Sequence, residues 1–457
     1  MKSTKPLVRQ STKPAKGMRD LLPRQMLRRE SVIDTVKSVY RSFGFEPLET
    51  PACERLEVLL GKYGEEGDQL VFKIMHRGEK IERALASGTA AENDVADMAL
   101  RYDLTVPLAR VVAEYQNELP KYFKRYQIQP VWRADRPQKG RFREFYQCDV
   151  DVVGSSSLTV EVEVASAVAT VLEQLGFTDF SVRLNHRKLL FGLIESAGIP
   201  AELEGTALVA IDKLDKIGVE GVRKELADRG VEGAAIDHLV GMLALAESPQ
   251  DEMLDRLAAA VGENEAGRTG VDELRKLVGY ATGTAAGRYF RIDPFLARGL
   301  SYYTGPIFEV AVADLAGSLG GGGRYDNLVG MFLGRKIPAC GFSLGLERII
   351  VVMEERGMFG DVETVADVMV AVWDEASIGD SIALAGELRA AGLRVDLFPD
   401  LDKVGKQMKY ADSRGYPIVA IVGPDEFKAK KVTLKDLSTG EQRLVERADV
   451  AREIVHR

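Results

Sequence analysis

The sequence has few of the residues that build metal sites or disulfide frameworks. Its 457 residues include only three cysteines and four histidines. Cys53, Cys148 and Cys340 lie far apart in the chain, and no histidine stands at ligand spacing from them. This scarcity argues against a structural metal and against a disulfide-stabilised secreted domain. We therefore expect no metal fixed by the protein and a reduced, cytoplasmic location.

Long apolar runs are also missing. No stretch approaches the roughly 20 residues that cross a bilayer, so we expect no membrane partner. Acids are absent from the first 16 residues, which carry five lysines or arginines and several hydroxyl residues. A transit peptide would show a clear amphipathic period, and this segment does not. The interpretation we favour for residues 1–16 is a disordered basic tail.

Positive net charge is missing as well, because the formal net charge is −8. The charge is segregated, however: acids concentrate between about 195 and 275, whereas residues 119–143 are strongly basic. Phosphates respond to local patches rather than to net charge. The composition therefore permits binding of a nucleic acid without arguing for it.

The order of strand and helix patterns indicates two domains. Short strand-like runs flank a long helical stretch rich in Ala, Leu and Glu. This order predicts an α+β domain over residues 17–357 with a mainly antiparallel sheet and a helical insertion at about 187–285. After Gly360 a β-α-β-α-β pattern and a hairpin predict a small α/β domain with a partly parallel sheet over residues 366–457.

The densest polar constellation is a basic hairpin at 131–145. A strand enters, a loop with Pro and Gly turns, and a strand returns to end in Gln147-Cys148-Asp149-Val150-Asp151. The hairpin arginines are Arg133, Arg136, Arg141 and Arg143. Planar guanidinium groups in such proximity suit a phosphate ligand, although a solvated basic hairpin is the alternative. Basic and acidic groups on one sheet suit a zwitterionic substrate beside a phosphate.

A second segment, Gly341-Phe342-Ser343-Leu344-Gly345-Leu346-Glu347-Arg348, has the pattern of a strand, a tight turn and a helix start. Together with Arg133-Ala134-Asp135 it resembles the paired signature motifs of class II aminoacyl-tRNA synthetases. The resemblance implies that Arg133 holds the α-phosphate of ATP, that Arg348 packs against adenine, and that Phe145 stacks on its other face. Asp135 stands where that family usually has glutamate, and the resemblance assigns it to ATP as well.

Two further segments narrow the resemblance. Leu296-Ala297-Arg298-Gly299-Leu300-Ser301-Tyr302-Tyr303-Thr304-Gly305 and the glycine run that leads into Arg324-Tyr325-Asp326 are similar to signatures of histidyl-tRNA synthetases. The similarity extends from Lys16–Pro23 to the C-terminal domain, which resembles the family's anticodon-binding domain. The motif Arg101-Tyr102-Asp103-Leu104-Thr105 is more similar to the corresponding motif of the eukaryote-like branch of the family than to that of the common bacterial branch. A flexible surface loop is the alternative interpretation of the glycine run.

The resemblance implies an ATP-dependent histidine–tRNA ligase with these site residues. Histidine would be bound by Asp103, Leu104, Thr105, Arg133, Gln147, Asp151, Arg298, Tyr302 and Tyr303. ATP would be bound with Mg²⁺ by Arg133, Asp135, Phe145 and Arg348, and the catalytic residues would be Arg133 and Arg298. A pocket that hydrogen-bonds both ring nitrogens rejects apolar isosteres strongly, because its own polar groups would otherwise stay unpaired.

Partners follow from the same resemblance. The transfer RNA for histidine, tRNA(His), would be bound by Arg136, Lys139, Arg141, Lys403, Lys406 and Lys409. The last three share one predicted helix with Gln407 and Tyr410, and a solvated helix face is the alternative there. Pro51 matches a proline at the family's dimer interface, so we expect a homodimer. The alternative interpretation is that Pro51 only terminates a strand.

A non-catalytic relative is the main competing interpretation. The regulatory paralogue that partners ATP phosphoribosyltransferase shares this fold but typically lacks the active-site arginines and the C-terminal domain. This sequence keeps Arg133, Arg298 and Arg348, and it has the C-terminal domain. A synthetase-like sensor or polymerase accessory protein would need further modules, which the sequence does not contain.

Overall fold

A computed structural model describes residues 11–86, 88, 91, 94–298, 303–315, 317–360 and 364–456. The chain divides into two compact units. The first comprises Met1–Asp20 and Val32–Met358, and the second comprises Leu21–Ser31 and Phe359–Arg457. This division differs from the predicted bounds of 17–357 and 366–457 in grouping Leu21–Ser31 with the second unit.

Eleven strands of the first unit lie within the described residues. They are β1 (Glu46–Pro47), β2 (Cys53–Arg55), β3 (Lys73–Met75), β4 (Ala96–Leu100), β5 (Phe123–Trp132), β6 (Glu144–Val153), β7 (Phe180–His186), β8 (Phe290–Ile292), β9 (Pro306–Val312), β10 (Ser318–Arg324) and β11 (Ala339–Gly345). Eight of them form one sheet in the order β1-β5-β6-β11-β10-β9-β7-β8. The end pairs β1–β5 and β7–β8 are parallel and the pairs between them are antiparallel. The prediction of a mainly antiparallel sheet is confirmed.

The helices up to the end of this sheet follow the predicted order. They are α1 (Pro23–Ser42), α2 (Leu56–Leu59), α3 (Gly64–Gln69), α4 (Glu79–Ala86), α5 (Thr105–Glu114), α6 (Thr159–Gln174), α7 (Arg187–Ser196), α8 (Glu204–Ile211), α9 (Leu214–Asp228), α10 (Gly233–Leu243), α11 (Met253–Val261), α12 (Glu265–Ala281), α13 (Ala285–Tyr289), α14 (Gly330–Leu333) and α15 (Leu346–Glu355). The small β-branched and alanine side chains of α6 are largely buried. Helices α7 to α12 occupy the region that the sequence marks as an insertion.

A buried polar contact ties the first and last of these insertion helices together. His186, at the N-cap of α7, is fully buried, and its Nδ1 accepts a hydrogen bond from the backbone of Lys188. Its Nε2 lies 2.9 Å from Glu273 on α12. Burial lowers the pKa of His186, and the hydrogen bond from the imidazole lowers that of Glu273 to about 2. The neutral ring with its proton on Nε2 therefore suits both contacts.

The glycine run forms an interior strand rather than a surface loop. Residues 318–324 make up β10, which pairs with β11 on one side and β9 on the other. A Cβ at Gly320 would lie 2.3 Å from the carbonyl oxygen of Ser343, and one at Gly322 would lie 2.2 Å from that of Gly341. The flexible-loop interpretation is wrong because the neighbouring backbone leaves room only for glycine here.

The second unit contains a five-stranded sheet with helices on both faces. Its elements are β12 (Val368–Ala371), α16 (Ile378–Ala390), β13 (Val395–Leu397), α17 (Val404–Ser413), β14 (Ile418–Ile421), α18 (Pro424–Ala429), β15 (Lys431–Asp436), β16 (Gln442–Glu446) and α19 (Val450–Val455). Strands β13, β12 and β14 are parallel, and the hairpin β15–β16 extends the sheet antiparallel. Helices α16 and α19 pack on one face and α17 on the other. The predicted α/β fold is confirmed.

Candidate active site

A cavity of about 320 Å³ opens over the centre of the large sheet of the first unit. Strands β6, β10 and β11 and the hairpin between β5 and β6 supply much of its lining, and further residues come from the starts of α5 and α15 and from the segment between β8 and β9. Its charged and aromatic lining residues are Asp103, Arg133, Asp135, Arg141, Phe142, Phe145, Asp149, Asp151, Arg298, Tyr303, Tyr325, Phe342, Glu347 and Arg348. Four of them, Arg133, Arg141, Arg298 and Arg348, form a basic group. Three others, Asp103, Asp149 and Asp151, form an acidic group.

Arg133 occupies a fixed position in the basic group. Its Nε donates to the carbonyl of Tyr102 at 3.0 Å. The guanidinium carbon lies 4.2 Å from the ring centroid of Tyr102 and 5.2 Å from that of Phe145. Cation–π contacts on both rings and one backbone acceptor restrict the side chain to few rotamers. Arg133 is therefore oriented in advance towards a ligand in the cavity.

Arg298 reaches the same cavity from the segment after β8. Its Nη1 lies 3.0 Å from Oε2 of Glu309 on β9 and donates to the Ser318 hydroxyl at 3.0 Å. A Cβ at Gly321 would lie 2.5 Å from this Nη1, so the arginine crosses the strand where a side chain is missing. Glycine at this point lets the guanidinium group lie directly on the backbone of β10.

Arg348 lies in the first turn of α15 and donates from Nη1 to the carbonyl of Ser318. Burial lowers its pKa, and the positive charges of Arg298 and Arg141 lower it further. Arg141 in turn forms a 3.1 Å ion pair with the buried Asp135. The guanidinium groups around this part of the cavity repel one another, which an anionic ligand would relieve. A polyphosphate fits that requirement.

The acidic group surrounds a fully buried arginine on β5. The Nη2 atom of Arg125 lies 2.8 Å from Oδ2 of Asp151 and 3.7 Å from Oδ2 of Asp149. The Tyr325 hydroxyl donates to the other oxygen of Asp151. Burial raises the pKa of Asp149 to about 7. The positive charge of Arg125 opposes this rise, and the negative charge of Asp151 adds to it. Burial also raises the pKa of Asp151, and a cationic ligand would favour ionisation of both.

Asp103 joins this acidic group at the start of α5. Its Oδ1 accepts from the backbone N–H of Val106 at 3.1 Å and from the Tyr63 hydroxyl at 3.1 Å. Burial raises the pKa of Asp103, while the positive charge of Arg133 lowers it. The positive charge of Arg133 also lowers the pKa of Arg348, so Arg133 acts on both the acidic and the basic group. The cavity therefore suits a ligand with a cationic part joined to an anionic part.

Most of the predicted histidine and ATP residues lie together here. The cavity is lined by Asp103, Thr105, Arg133, Asp135, Phe145, Gln147, Asp151, Arg298, Tyr303 and Arg348. Leu104 is not among the lining residues, because its side chain is fully buried and its carbonyl accepts from Arg125 at 3.3 Å. Tyr302 lies outside the described residues. Arg141, predicted to bind RNA, lines the cavity beside the ATP residues.

Three residues at the cavity were not predicted from the sequence. Asp149 and Ser343 line the cavity, and Glu309 holds Arg298. The period of two along β6 places Asp149 on the same face as Gln147 and Asp151, which was the available signal. No comparable signal marked Glu309, because its contact with Arg298 depends on the pairing of β9 with β10.

The other predicted RNA-binding residues lie on surfaces. Arg136 and Lys139 are exposed on the hairpin after β5, and Lys139 pairs with Glu355. Lys403, Lys406 and Lys409 are exposed at or on α17, where Lys406 pairs with Asp402 at 2.8 Å. Gln407 of the same helix is fully buried, and its Nε2 donates to the Val372 carbonyl at 2.7 Å. The expectation that Gln407 contributes to an RNA surface is therefore wrong.

Comparisons with known proteins agree with this geometry. A mainly antiparallel sheet that presents Arg133 and Arg348 to one cavity is the arrangement of a class II aminoacyl-tRNA synthetase. A family model described as histidyl-tRNA synthetase matches residues 17–349, and one described as an anticodon binding domain matches residues 367–457. The chain belongs to the histidyl-tRNA synthetase family.

Individual relatives cover nearly the whole chain. The histidine–tRNA ligase of Gloeobacter violaceus is 44% identical over 449 residues, which cover 93% of this chain and 94% of that protein. The histidine–tRNA ligase of Bacteroides fragilis is 43% identical over 438 residues, which cover 94% and 96%. These relatives are bacterial, so the expected affinity with the eukaryote-like branch is not confirmed.

A solved structure gives the same result. The crystal structure of histidyl-tRNA synthetase from Nostoc sp. matches with a TM-score of 0.84 and 33% identity, and covers 98% of this chain and 100% of that one. A structure from Bacillus halodurans, described as an ATP phosphoribosyltransferase regulatory subunit/histidyl-tRNA synthetase, shares the fold with a TM-score of 0.72 and 23% identity, covering 91% and 100%. No helix in the described part of the chain is long and apolar enough to cross a membrane.

Proposed function

We propose that the chain is a histidine–tRNA ligase that activates histidine with ATP and transfers it to the 3′ end of tRNA(His). The observation that carries the proposal is the single cavity in which a buried acidic group adjoins four arginines. A zwitterionic amino acid and a nucleoside triphosphate together match that charge pattern. Membership of the family supports the choice of histidine and of transfer RNA.

Activation joins histidine to the nucleotide. A carboxylate oxygen of histidine attacks the α-phosphorus of ATP, the new P–O bond forms, and the bond to the β,γ-pyrophosphate breaks. Negative charge grows on the α-phosphate oxygens and on the departing pyrophosphate. Fixed cations lower the barrier to such a transfer because they need no reorganisation when the charge develops. Arg133 and Arg298 supply those cations at the α-phosphate.

The remaining lining residues hold the two substrates. Arg348 packs against adenine and the adjoining phosphates, and Phe145 stacks on the other face of the base. Asp103, Thr105 and Gln147 accept hydrogen bonds from the histidine ammonium group, while Asp151 and Tyr303 face the imidazole. Magnesium enters with ATP as part of the substrate, held by the phosphates and water.

Transfer starts from the bound histidyl-adenylate. A ribose hydroxyl at the 3′ end of the transfer RNA attacks the carbonyl carbon of histidyl-adenylate, AMP leaves with the electrons of the mixed-anhydride bond, and the hydroxyl proton passes to a phosphate oxygen of the departing AMP. This step needs little beyond proximity, because the adenylate is already activated. Arg136, Lys139 and Arg141 contact the RNA near the cavity, and Lys403, Lys406 and Lys409 contact the anticodon region.

The proposal includes a cytoplasmic homodimer that forms through the region of Pro51. Pro51 is exposed, and its carbonyl accepts from the buried Arg101 at 3.2 Å. Arg101 also donates to the Thr50 carbonyl at 2.6 Å and precedes the predicted histidine-binding residue Asp103. A dimer contact at Pro51 would therefore lie close in space to the segment that carries Asp103. Sedimentation equilibrium of the full-length protein tests it, and a monomer at micromolar concentration would contradict it.

A regulatory role without catalysis is the second candidate, and the fold likeness to the Bacillus halodurans protein raises it. Such a protein has no need of fixed cations around an α-phosphate. Arg133, Arg298 and Arg348 all line the cavity here, and backbone or carboxylate partners hold each of them. We therefore favour the ligase.

The test is aminoacylation by the purified full-length protein. With ATP, magnesium and labelled histidine, it should charge tRNA(His) and leave other transfer RNAs uncharged. Lack of charging, together with an increase in the activity of an added ATP phosphoribosyltransferase, would support the regulatory role instead.

A further inference from the structure

The chain between β8 and Arg298 passes the end of β7 without forming a strand. Strand β8 pairs in parallel with β7 and ends at Ile292. The backbone N–H of Asp293 makes one more bond of this ladder, to the carbonyl of Leu184 at 2.9 Å. Two residues on, the N–H of Phe295 donates instead to the side chain of Asp293 at 3.1 Å, so the backbone ladder stops. The segment that leads to Arg298 is therefore held by other contacts.

The side chain of Asn185 on β7 supplies those contacts. Asn185 is fully buried. Its Nδ2 donates to the carbonyl of Pro294 at 2.9 Å and to that of Leu296 at 3.0 Å. Because both partners are carbonyl oxygens, the NH₂ group of the amide, which has two donors, faces the segment. One side chain thus satisfies two buried carbonyls just where the backbone ladder ends.

Arg298 follows two residues after the last of these carbonyls. Residues 295–297 are buried, so the main chain that leads to Arg298 is packed inside the first unit. At the other end of the arginine, Nη1 lies 3.0 Å from Glu309 and donates to the Ser318 hydroxyl at 3.0 Å. Arg298 is therefore held at both ends. Asn185 holds the main chain, and Glu309 and Ser318 hold the guanidinium group.

We propose that Asn185 is a positioning residue for adenylate formation, and that it acts by fixing the main chain from which Arg298 reaches the cavity. The long arginine side chain can keep its contact with Glu309 while its own backbone shifts, so the carboxylate alone does not fix the guanidinium group. A misplacement of about 1 Å in a catalytic group can cost roughly 10²-fold in rate. The inference rests on the proposed function, because it requires Arg298 to stabilise the α-phosphate.

The first experiment removes the two N–H donors with Asn185→Ala and Asn185→Leu. Leucine has as many non-hydrogen side-chain atoms as asparagine, so it covers the case in which the cavity left by alanine prevents folding. Each variant should lower the single-turnover rate of adenylate formation at least about tenfold, because Arg298 is displaced. Equilibrium binding of histidine should change little, since Asn185 does not line the cavity. A near-normal rate in a folded Asn185→Leu protein overturns the inference.

A double-mutant cycle with Arg298→Ala separates positioning from a general effect on the fold. Residues that act through one another lose less together than the product of their separate losses. Asn185→Leu should therefore lower the adenylation rate of the Arg298→Ala protein by less than about twofold. Losses that multiply in full would mean that Asn185 acts independently of Arg298, and they overturn the inference.

Val182→Ala is the matched control, because Val182 is a fully buried residue of β7 whose side chain lies on the opposite face of the sheet from that of Asn185. It should lower the free energy of unfolding and leave the adenylation rate unchanged. A loss of rate in Val182→Ala equal to that in Asn185→Leu overturns the inference, since any weakening of β7 would then suffice. These outcomes leave the proposed function intact. A wild-type protein that forms no adenylate with histidine would instead overturn the proposed function, and the inference with it.

Discussion

Arg298 and Glu309 form an ion pair in the wall of the cavity, with Nη1 of the arginine 3.0 Å from Oε2 of the glutamate. The other oxygen of Glu309 lies 3.1 Å from Arg183, which also pairs with Asp293. One carboxylate therefore holds two guanidinium groups. Glu309 therefore fixes Arg298 in the lining of the cavity.

Removing the charge of Glu309 should loosen Arg298 without unfolding the sheet. We expect Glu309→Gln to lower kcat for adenylate formation about tenfold, because a hydrogen bond to a charged group contributes ~1.5–3 kcal/mol. KM for histidine should change little. Asp293→Asn is the control, since it breaks the other ion pair of Arg183 and leaves the Arg298 contact in place. Equal losses in the two variants would show that Glu309 has only a structural role.

The arginine itself should matter more than its partner. Arg298→Ala should lower the rate of adenylate formation by roughly 10²–10³, the usual effect of losing one preorganised group at a developing charge. Histidine binding should weaken only modestly, because the contact strengthens in the transition state. Single-turnover adenylation beside equilibrium binding of histidine makes the comparison. Near-normal adenylation in this variant would remove Arg298 from the mechanism.

The buried acidic group should make stability depend on pH. Burial raises the pKa of Asp149 from 3.8 to about 7, so between these values the folded protein holds a proton that the unfolded chain has lost. The unfolding free energy should therefore fall as pH rises through this window and level off above it. Arg125, Asp151 and Asp103 act on the same carboxylate.

Asp149→Asn does not titrate at this position, so its free energy of unfolding relative to the wild type should rise between pH 5 and about 7. Trp132 fluorescence in a Trp373→Phe background reports on urea unfolding of the first unit. A difference that is constant with pH would mean that Asp149 is ionised throughout this range.

The lysines of the second unit should affect RNA binding alone. Replacing Lys403 and Lys409 with alanine should raise KM for tRNA(His) and leave pyrophosphate exchange unchanged. The slope of log affinity against log salt should fall by about two, one for each lost phosphate contact. Arg452→Ala on α19 is the control, because that helix packs on the opposite face of the sheet from α17. Unchanged charging in the double variant would exclude these lysines from the RNA surface.

Sequence patterns predicted the elements whose side chains alternate or repeat regularly. Strands β5 and β6, helix α6 and the β-α-β order of the second unit lie where hydrophobic periodicity indicates them. Strand β10 was not predicted, because glycine has a low strand propensity. Its glycines are needed only because β9 and β11 approach it closely. Gln407 was misassigned, since a polar residue between exposed lysines looks exposed until its contact with Val372 is known.

The site was predictable where motifs are contiguous and less so where contacts cross strands. Arg133, Gln147 and Asp151 lie in one hairpin, so their proximity follows from local pairing. Asp149 stands between them in the sequence, yet its contacts with Arg125 and Ser343 are visible only once β5 and β11 are placed on either side of β6. Pairing over such sequence distances is set by tertiary packing and not by local pattern.

The central claim is that this cavity activates histidine, and pyrophosphate exchange tests it most directly. Purified full-length protein, ATP, magnesium and labelled pyrophosphate are incubated with each standard amino acid in turn. We predict label in ATP with histidine and background with every other amino acid, and we predict that Arg133→Ala abolishes the signal because Arg133 is the proposed contact of the α-phosphate. No exchange with histidine, or equal exchange with another amino acid, would contradict the account.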